Sequence, residues 1–263
     1  MSDAPAVTTE PLLTADGVTL RFGGVRALTD VSFEVRPREL FAVIGPNGAG
    51  KTSIFNCLNA VYRPQQGRIR FDGHELVGAR PGQTARWGIG RTFQNLGLFA
   101  NLDVIANLML GRHLHMRTGF LAGMAWWGRA KREEIEQRRR CEEIVELLEL
   151  QRHRHAHVGS LPYGIQKRIE LGRALAMEPK LLLLDEPVAG MNVEETEDMA
   201  RYILEIQEQL GLAMILVEHD MHMVMDIADR VMVLDFGQVI ATGAPADVQH
   251  DQRVIEAYLG QAS

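Results

Sequence analysis

A glycine-rich loop is the part of this chain best suited to chemistry. Residues 45–53 read Gly-Pro-Asn-Gly-Ala-Gly-Lys-Thr-Ser, and Gly45, Gly50, Lys51 and Thr52 have the spacing of a phosphate-binding loop. Glycines let backbone N–H groups approach a polyphosphate closely, because no Cβ intervenes. Lys51 supplies a cation for the β- and γ-phosphates, and the Thr52 hydroxyl is suited to bind Mg²⁺. The residues predicted to contact a nucleotide are Gly45, Pro46, Asn47, Gly48, Ala49, Gly50, Lys51, Thr52 and Ser53.

Two acidic residues end a second apolar segment, which reads Lys-Leu-Leu-Leu-Leu-Asp-Glu-Pro over residues 180–187. The four leucines predict a strand buried on both faces. Burying Asp185 and Glu186 beside it without a cation is costly, so the pair indicates a metal or a reacting water nearby. In phosphate-loop enzymes the acid at such a strand end holds Mg²⁺, which assigns Asp185 and leaves Glu186 to polarise a water for in-line attack. The competing interpretation, a helix cap before Pro187, is weaker.

Residues 212–217 predict a further buried strand. It places Glu218, His219 and Asp220 at the same end of the strands as Asp185 and Glu186. A lone histidine is usually structural. At a strand terminus beside a phosphate site, His219 is a candidate for contacting the γ-phosphate.

The elements that must position these residues can also be predicted. The apolar run at residues 40–44 predicts a buried parallel strand before the loop, and residues 53–62 have helical spacing after it, so the positive end of a helix faces the phosphates. The side chains on one face of that helix are Ile54, Phe55, Leu58 and Val61. Residues 12–22 and 27–35 predict antiparallel hairpin structure with turns at Asp16-Gly17 and Gly23-Gly24. Residues 231–234 and 238–242 predict a second hairpin.

The composition excludes several classes of protein. The chain has 263 residues and a formal charge of −6, with 28 Lys plus Arg against 34 Asp plus Glu, so bulk attraction to nucleic acid or anionic lipid is not expected. The two cysteines, Cys57 and Cys141, are expected to be reduced and packed. No apolar run has the length of a membrane span and the N-terminus does not resemble a signal peptide, so we expect a cytosolic protein.

Two other segments leave their roles open. Residues 120–127 carry Phe120, Trp126 and Trp127 and suit an interaction patch or a subdomain core equally well. His153, His155 and His157 alternate with polar residues, but no cysteine or carboxylate completes a metal shell nearby, so we expect an exposed connector and no metal other than Mg²⁺.

Three segments together resemble the ATP-binding cassette (ABC) ATPases of membrane transporters. They are the loop at Gly45, the segment 161–168 (Leu-Pro-Tyr-Gly-Ile-Gln-Lys-Arg) and the strand ending at Asp185. The resemblance covers nearly the whole chain. It implies that Phe22 stacks on adenine, that Gln94 links Mg²⁺ and the attacking water to a membrane partner, and that His219 is the switch histidine. Residues 189–192 match the loop that crosses the dimer.

The segment 161–166 departs from the usual Leu-Ser-Gly-Gly-Gln signature of that family. Pro162 stands in place of the serine, Tyr163 in place of a glycine and Ile165 in place of the glutamine. Gly164 remains, so backbone N–H groups at a helix start can still face the phosphate of an opposite subunit. The site built with this signature is expected to be weaker than the one built on the Gly45 loop, which favours a sibling cassette as partner over an identical chain.

The resemblance implies an α/β fold: a phosphate-loop (RecA-like) core with a mainly parallel sheet, an N-terminal antiparallel β subdomain and an inserted α-helical subdomain. Residues 1–263 then form one ABC ATPase domain. The β subdomain and catalytic core take up about 12–100 and 175–245, the helical subdomain with the signature about 101–174, and a C-terminal helix about 246–263.

Within that family, the chain looks most like the ATPase subunits of branched-chain amino acid importers. The resemblance lies in the Tyr-Gly signature, the run Arg-Thr-Phe-Gln at 91–94 and the ending at 254–260. Related cassettes serve urea, short amides and other small polar solutes. The implied cofactors are ATP and Mg²⁺. The implied partners are a second cassette subunit, integral membrane permease subunits and, indirectly, a periplasmic or extracellular solute-binding protein, with the chain on the inner face of the cell membrane.

Three other functions compete with this interpretation. A soluble cassette ATPase acting on ribosomes or DNA usually has two cassettes or a long coiled-coil insert. A phosphate-loop kinase uses the same Lys51 and Thr52 but needs an acceptor pocket and a lid. A non-catalytic regulatory binder does not need Asp185, Glu186 and His219 intact.

Overall fold

The structure is a computed structural model that describes residues 10–92, 97–115 and 129–259. The strands are β1 (Leu13–Phe22), β2 (Val25–Val35), β3 (Leu40–Ile44), β4 (Gln66–Phe71), β5 (His74–Glu75), β6 (Ile89–Arg91), β7 (Leu181–Asp185), β8 (Ala213–Val217), β9 (Arg230–Asp235) and β10 (Gln238–Gly243). The helices are α1 (Lys51–Leu58), α2 (Pro81–Trp87), α3 (Val104–Gly111), α4 (Arg129–Leu147), α5 (Tyr163–Leu175), α6 (Val193–Leu210), α7 (Met221–Ile227), α8 (Pro245–Gln249) and α9 (Gln252–Leu259). Short 3₁₀ turns lie at Arg112–His115, Gln151–His153 and Val158–Ser160.

A six-stranded sheet forms the centre of the fold, in the order β10-β9-β3-β8-β7-β6. Its strands are parallel except for β10, which returns antiparallel to β9. The phosphate loop follows β3, Glu186 follows β7 and Glu218 follows β8. Because carboxyl ends of parallel strands meet at one edge of a sheet, this topology brings the three segments together. The predicted α/β core with a mainly parallel sheet is confirmed.

The apolar runs of β3 and β7 are buried on both faces, as predicted. Leu182 and Leu184 contribute to a core shared with the helices, whereas Leu181 and Leu183 contribute to a second core on the other face. That second core is closed by a four-stranded antiparallel sheet in the order β2-β1-β4-β5. The six-stranded sheet therefore has packed side chains on both of its faces, which is typical of parallel sheets.

Three helices, α3, α4 and α5, pack together between β6 and β7 in the chain. Close approach occurs at Gly172, where an added Cβ would lie 2.9 Å from side chains of Leu108 and Leu148. Arg112 is buried among these helices and donates to Gln137 Oε1 at 2.6 Å and to the Ala176 carbonyl at 2.9 Å. Among the described helices none is long and apolar enough to span a bilayer.

Two local predictions differ from the structure. Helix α1 ends at Leu58 instead of residue 62, and Val61 is 54% exposed. The chain turns there because Ala60 has a left-handed φ of 56° and the N–H groups of Val61 and Tyr62 both donate to the Asn56 carbonyl. The pair Asp16-Gly17, predicted to be a turn, instead interrupts the register within β1.

The double burial of β7 gives a stability prediction. Leu182 is 0% exposed, whereas Leu204 on α6 is 40% exposed. Leu182→Ala should lower the free energy of unfolding by about 2–5 kcal/mol through lost contacts and a cavity. Leu204→Ala should lower it by less than about 1 kcal/mol, since exposed sites tolerate truncation. Urea unfolding of both variants measures the difference, and equal losses would contradict the assigned packing.

Candidate active site

The phosphate loop depends on glycines that no other residue could replace without strain. Gly45, Gly48 and Gly50 have φ values of 146°, 81° and 109°. Residues with a Cβ rarely adopt these backbone conformations. An added Cβ on Gly45 would lie 2.1 Å from the carbonyl oxygen of Leu234, and one on Gly50 would lie 2.7 Å from that of Ala27. The loop is thus closely packed against the β9–β10 hairpin and against β2.

Lys51 folds back onto the loop that precedes it. Its buried ammonium donates to the carbonyl oxygens of Gly45 at 2.5 Å and Pro46 at 2.9 Å. Burial lowers the pKa of Lys51, and the negative charge of Glu186 opposes part of that effect. A lysine cation held against a glycine-rich loop is suited to bind a polyphosphate.

One cavity brings together residues from three distant segments of the chain. It has a volume of about 180 Å³. Its lining consists of Asn47, Gly48, Ala49, Gly50, Lys51, Thr52, Ser53, Glu186 and His219. A loop suited to phosphates, a carboxylate and an imidazole therefore face the same space.

Glu186 and His219 contact each other directly at this cavity. Nε2 of His219 lies 2.8 Å from Oε1 of Glu186. An ionised carboxylate can only accept hydrogen bonds, so the imidazole donates through Nε2. Glu186 has a left-handed φ of 49°, and its N–H donates to the Val217 carbonyl at 2.9 Å. Such backbone conformations at residues other than glycine are concentrated at functional sites, where the surroundings hold them.

Asp185 is buried and paired with an arginine from the neighbouring strand. Its Oδ2 lies 2.7 Å from Nη2 of Arg91, and Nη1 of Arg91 donates to Oδ1 of Asn56 at 2.9 Å. The Asp185 N–H also donates to the hydroxyl of Thr92 at 3.1 Å. A buried carboxylate needs such a partner, since an uncompensated charge in the interior is strongly destabilising. Asp185 is therefore held in a defined orientation by Arg91 and Thr92.

Glu218 is a second buried carboxylate at this edge, and it is hydrogen-bonded by backbone N–H groups. It accepts from Val188 at 3.0 Å, His219 at 2.8 Å and Asp220 at 3.5 Å. Burial raises the pKa of Glu218, while the three N–H donors partly counteract that rise. Glu218 thus links the segment after Glu186 to the turn that carries His219.

The donor set of the site suits a hard cation. The Thr52 hydroxyl and the Asp185 carboxylate offer the oxygen ligands that Mg²⁺ prefers. Within residues 10–92, 97–115 and 129–259, no group of three or more His, Cys, Asp or Glu side chains could hold a metal ion. Such a cluster is not required for Mg²⁺, which is usually bound through one or two protein ligands together with substrate phosphates.

Six predicted residues do not line this cavity. Gly45 and Pro46 precede its lining residues in the loop, and Asp185 is buried beside Arg91. The other three are Phe22, Gly164 and Gln94. Phe22 ends β1, is 47% exposed and contacts Tyr62 edge to face, with ring centroids 5.0 Å apart. Gly164 is buried in the first turn of α5, where an added Cβ would lie 2.5 Å from Glu195 Oε1. Gln94 lies outside the described residues, as does the patch at 120–127.

Two functional contacts were missed by reasoning from the sequence. Arg91 was noted only as part of a run before Gln94, and Glu218 was not assigned a role. A signal did exist for both, because a charged residue directly after or at the end of a buried strand needs a partner. Which partner each residue finds depends on the order of the strands, and that order is not written in the local pattern.

Comparison with known proteins identifies the family. Residues 28–189 match the family described as ABC transporter, and residues 238–263 match the family described as branched-chain amino acid ATP-binding cassette transporter. The chain is 39% identical to the high-affinity branched-chain amino acid transport ATP-binding protein BraF of Pseudomonas aeruginosa, over 96% of this chain and 99% of that protein. It is 40% identical to the corresponding protein LivG of Salmonella typhimurium, with the same coverage.

Solved structures agree with this assignment. The ADP conformation of MJ1267, an ATP-binding cassette of an ABC transporter, superposes with a TM-score of 0.83 at 28% identity, covering 96% of this chain and 100% of that one.

The packing of the loop predicts unequal effects of two alanine substitutions. Both Gly45 and Gly48 have positive φ, but only Gly45 lacks space for a Cβ; around Gly48 nothing lies within 4 Å. Gly48→Ala should lower the free energy of unfolding by about 1–2 kcal/mol, the cost of the left-handed conformation. Gly45→Ala should lower it by clearly more, because the Leu234 backbone must move. Urea unfolding without nucleotide compares the two, and an equal effect would refute the close packing at Gly45.

Proposed function

The chain belongs to the ABC transporter family, and from that premise we propose that it is the ATP-hydrolysing subunit of an importer for branched-chain amino acids or a related small polar solute. The observation that carries the proposal is the single cavity in which the phosphate loop, Glu186 and His219 meet. The similarity to BraF and LivG extends over nearly the full length of both proteins. It supports a role in transport over that of a kinase or of an ATPase acting on ribosomes or DNA.

The loop and its lysine bind the phosphates in this proposal. Backbone N–H groups around Gly48 and Gly50, together with the start of α1, face the β- and γ-phosphates, and Lys51 contributes its positive charge. The Thr52 hydroxyl and the Asp185 carboxylate would hold Mg²⁺. That ion, when bound, neutralises charge on the phosphate oxygens during transfer. Phe22, half exposed at the end of β1, offers an aromatic face for adenine.

Glu186 acts on the water in this proposal, and His219 orients Glu186. The carboxylate lines the cavity beside the loop, so it can accept a proton from a water aligned with the γ-phosphate. The 2.8 Å hydrogen bond from His219 fixes the direction of that carboxylate. Gln94 completes the catalytic set by resemblance to the family and carries the link to a membrane partner.

A second cassette subunit completes the site. One chain leaves the outer side of the phosphate cavity open to water, and closure by the start of a partner's helix excludes that water and adds hydrogen-bond donors. The corresponding segment of this chain is residues 161–166, and its Gly164 lies in the first turn of α5. We further propose that Mg-ATP holds the two subunits together, and that hydrolysis releases them and moves a membrane permease.

The division of the chain follows from the same proposal. The core and β subdomain comprise about 12–100 and 175–245, and the helical subdomain about 101–174 mediates contact with the permease at the inner face of the membrane. A solute-binding protein then acts on the permease and only indirectly on this chain.

Glu186→Gln tests the assigned base. The amide keeps the shape of the side chain but cannot take a proton, so ATP hydrolysis should fall by about 10²-fold or more. Binding of a fluorescent ATP analogue should persist, and size-exclusion chromatography with ATP should detect an accumulating dimer. Phosphate release measures turnover.

The matched control is Glu208→Gln, the same change at an exposed position of α6. It should leave both binding and hydrolysis unchanged. Normal turnover in Glu186→Gln would eliminate Glu186 as the base, and retention of full ATP affinity in Lys51→Ala would contradict the assignment of the loop.

Transport requires a separate test with membrane partners. The chain is combined with candidate permease subunits in proteoliposomes, and ATP hydrolysis is measured with binding proteins loaded with leucine, urea or a short amide. We expect the branched-chain amino acid to give the largest stimulation. Stimulation by nucleic acid in place of membranes, or transfer of phosphate to a small molecule, would overturn the proposal.

A further inference from the structure

The first residue of α5, Tyr163, contacts the turn that follows Glu186. Its hydroxyl donates to the Ala189 carbonyl at 3.1 Å. Its ring lies beside Gly190, because a Cβ added to that glycine would be 3.4 Å from Cε1 and 3.8 Å from the hydroxyl oxygen of Tyr163. Tyr163 is thus held against the turn by one hydrogen bond and by van der Waals contact.

Backbone contacts connect this turn to the carboxylates of the site. The Ala189 N–H donates to the Glu186 carbonyl at 3.2 Å. The preceding N–H, that of Val188, donates to Oε1 of Glu218 at 3.0 Å. Ala189 therefore contacts Tyr163 through its carbonyl and Glu186 through its N–H, and it stands next to the residue that Glu218 holds.

A second contact joins the start of α5 to the same part of the chain. Gly164 follows Tyr163, and a Cβ added to it would lie 2.5 Å from Oε1 of Glu195. Glu195 is itself fixed by a capping box with Asn192, since its Oε2 accepts from the Asn192 N–H at 3.1 Å and its N–H donates to Asn192 Oδ1 at 3.0 Å. The start of α5 is therefore packed against both the turn after Glu186 and the first turn of α6.

A buried lysine lies near the ring of Tyr163. Lys167 is 2% exposed, and its Nζ lies 5.9 Å from the centroid of the Tyr163 ring and 3.6 Å from Oε2 of Glu170. A cation within about 6 Å of the centroid of an aromatic ring is attracted to the ring. Because Lys167 is four residues after Tyr163 on α5, this attraction helps to hold the ring in place.

We propose that Tyr163 is a positioning residue for hydrolysis: its hydroxyl holds the turn after Glu186, and so joins the segment expected to face a partner cassette's nucleotide to the proposed base of its own chain. This inference rests on the proposed function, which supplies both the base and the partner. The usual signature has a glycine at this position, and a glycine offers the turn neither a hydroxyl nor a ring. The link is therefore a property of the tyrosine.

The contact should affect the chemical step more than nucleotide binding. Glu186 lines the phosphate cavity, whereas Tyr163 does not. Without the phenol hydroxyl, the Ala189 carbonyl loses this donor and the turn gains conformations in which Glu186 is displaced. Fewer chains then hold the base in its productive position, so kcat falls while the affinity for ATP is kept.

Tyr163→Phe tests the inference, because it keeps the ring and removes only the hydroxyl. In the assembled transporter, kcat for ATP hydrolysis should fall about three- to tenfold, the effect of one neutral hydrogen bond. The KM for ATP and the Kd of a fluorescent ATP analogue should each change by less than about twofold, since the phosphate loop is untouched. Without nucleotide, amide hydrogen exchange at Ala189, followed by NMR, should be faster than in the wild type.

A second measurement decides on which nucleotide Tyr163 acts. When the base of the partner cassette is replaced by glutamine, only the site on the Gly45 loop of this chain turns over, and Tyr163→Phe should slow it. When this chain instead carries Glu186→Gln, only the site on the partner's loop turns over, and adding Tyr163→Phe should have no effect. Slowing of that second site would mean that the hydroxyl acts across the dimer, and it would overturn the inference.

Tyr202→Phe is the matched control, because Tyr202 also joins α5 to α6 through a phenol hydroxyl. That hydroxyl accepts from Arg168 Nη1 at 2.6 Å and donates to Glu149 Oε2 at 2.7 Å. We expect Tyr202→Phe to lower thermal stability and to leave kcat and Ala189 exchange unchanged. If Tyr163→Phe gives the same pattern, Tyr163 only packs the helices and the inference is wrong. If the wild-type chain has no ATPase activity, the proposed function fails, and Ala189 exchange alone decides whether Tyr163 holds the turn.

Discussion

The site depends on how three carboxylates are compensated at one edge of the sheet. Asp185, Glu186 and Glu218 end two neighbouring parallel strands, and each would be costly there without a partner. Each carboxylate has a different kind of partner. Asp185 is ion-paired with Arg91, and Glu186 is hydrogen-bonded to the imidazole of His219 at the cavity. Glu218 accepts hydrogen bonds from three backbone N–H groups. The two most buried carboxylates are fixed by ionic and backbone contacts, whereas Glu186, which lines the cavity, is hydrogen-bonded to His219.

In this arrangement the residue that positions the site, Glu218, is different from the proposed base, Glu186. Glu218 joins Val188, on the segment after Glu186, to the N–H of His219, so the base and its histidine share one anchor. A shift of either segment would be transmitted to the other through Glu218, because its two oxygens accept from different segments. The left-handed backbone at Glu186 fits this account, since strained conformations persist only where surrounding contacts hold them.

Sequence reasoning predicted those parts of the fold that are encoded locally. The apolar runs of β3 and β7 and the glycines of the loop can each be inferred from adjacent residues. The extent of α1 could not, because Val61 has helical spacing but the helix ends before the left-handed Ala60, whose φ is 56°. The Arg91–Asp185 pair was missed for a related reason: it requires β6 to lie beside β7, and the order of strands is a property of the whole sheet.

Long-range order also explains why the loop cannot be understood from its own nine residues. Gly45 lies against Leu234 and Gly50 lies against Ala27, so segments from both ends of the chain enclose the loop. A glycine-rich loop in isolation would sample many conformations, since glycine has more conformational freedom than any other residue. The enclosing segments reduce that freedom before a nucleotide arrives, and preorganisation of this kind increases affinity by lowering the entropy lost on binding. The phosphate loop therefore acts as a binding site only in the context of the two hairpins that pack against it.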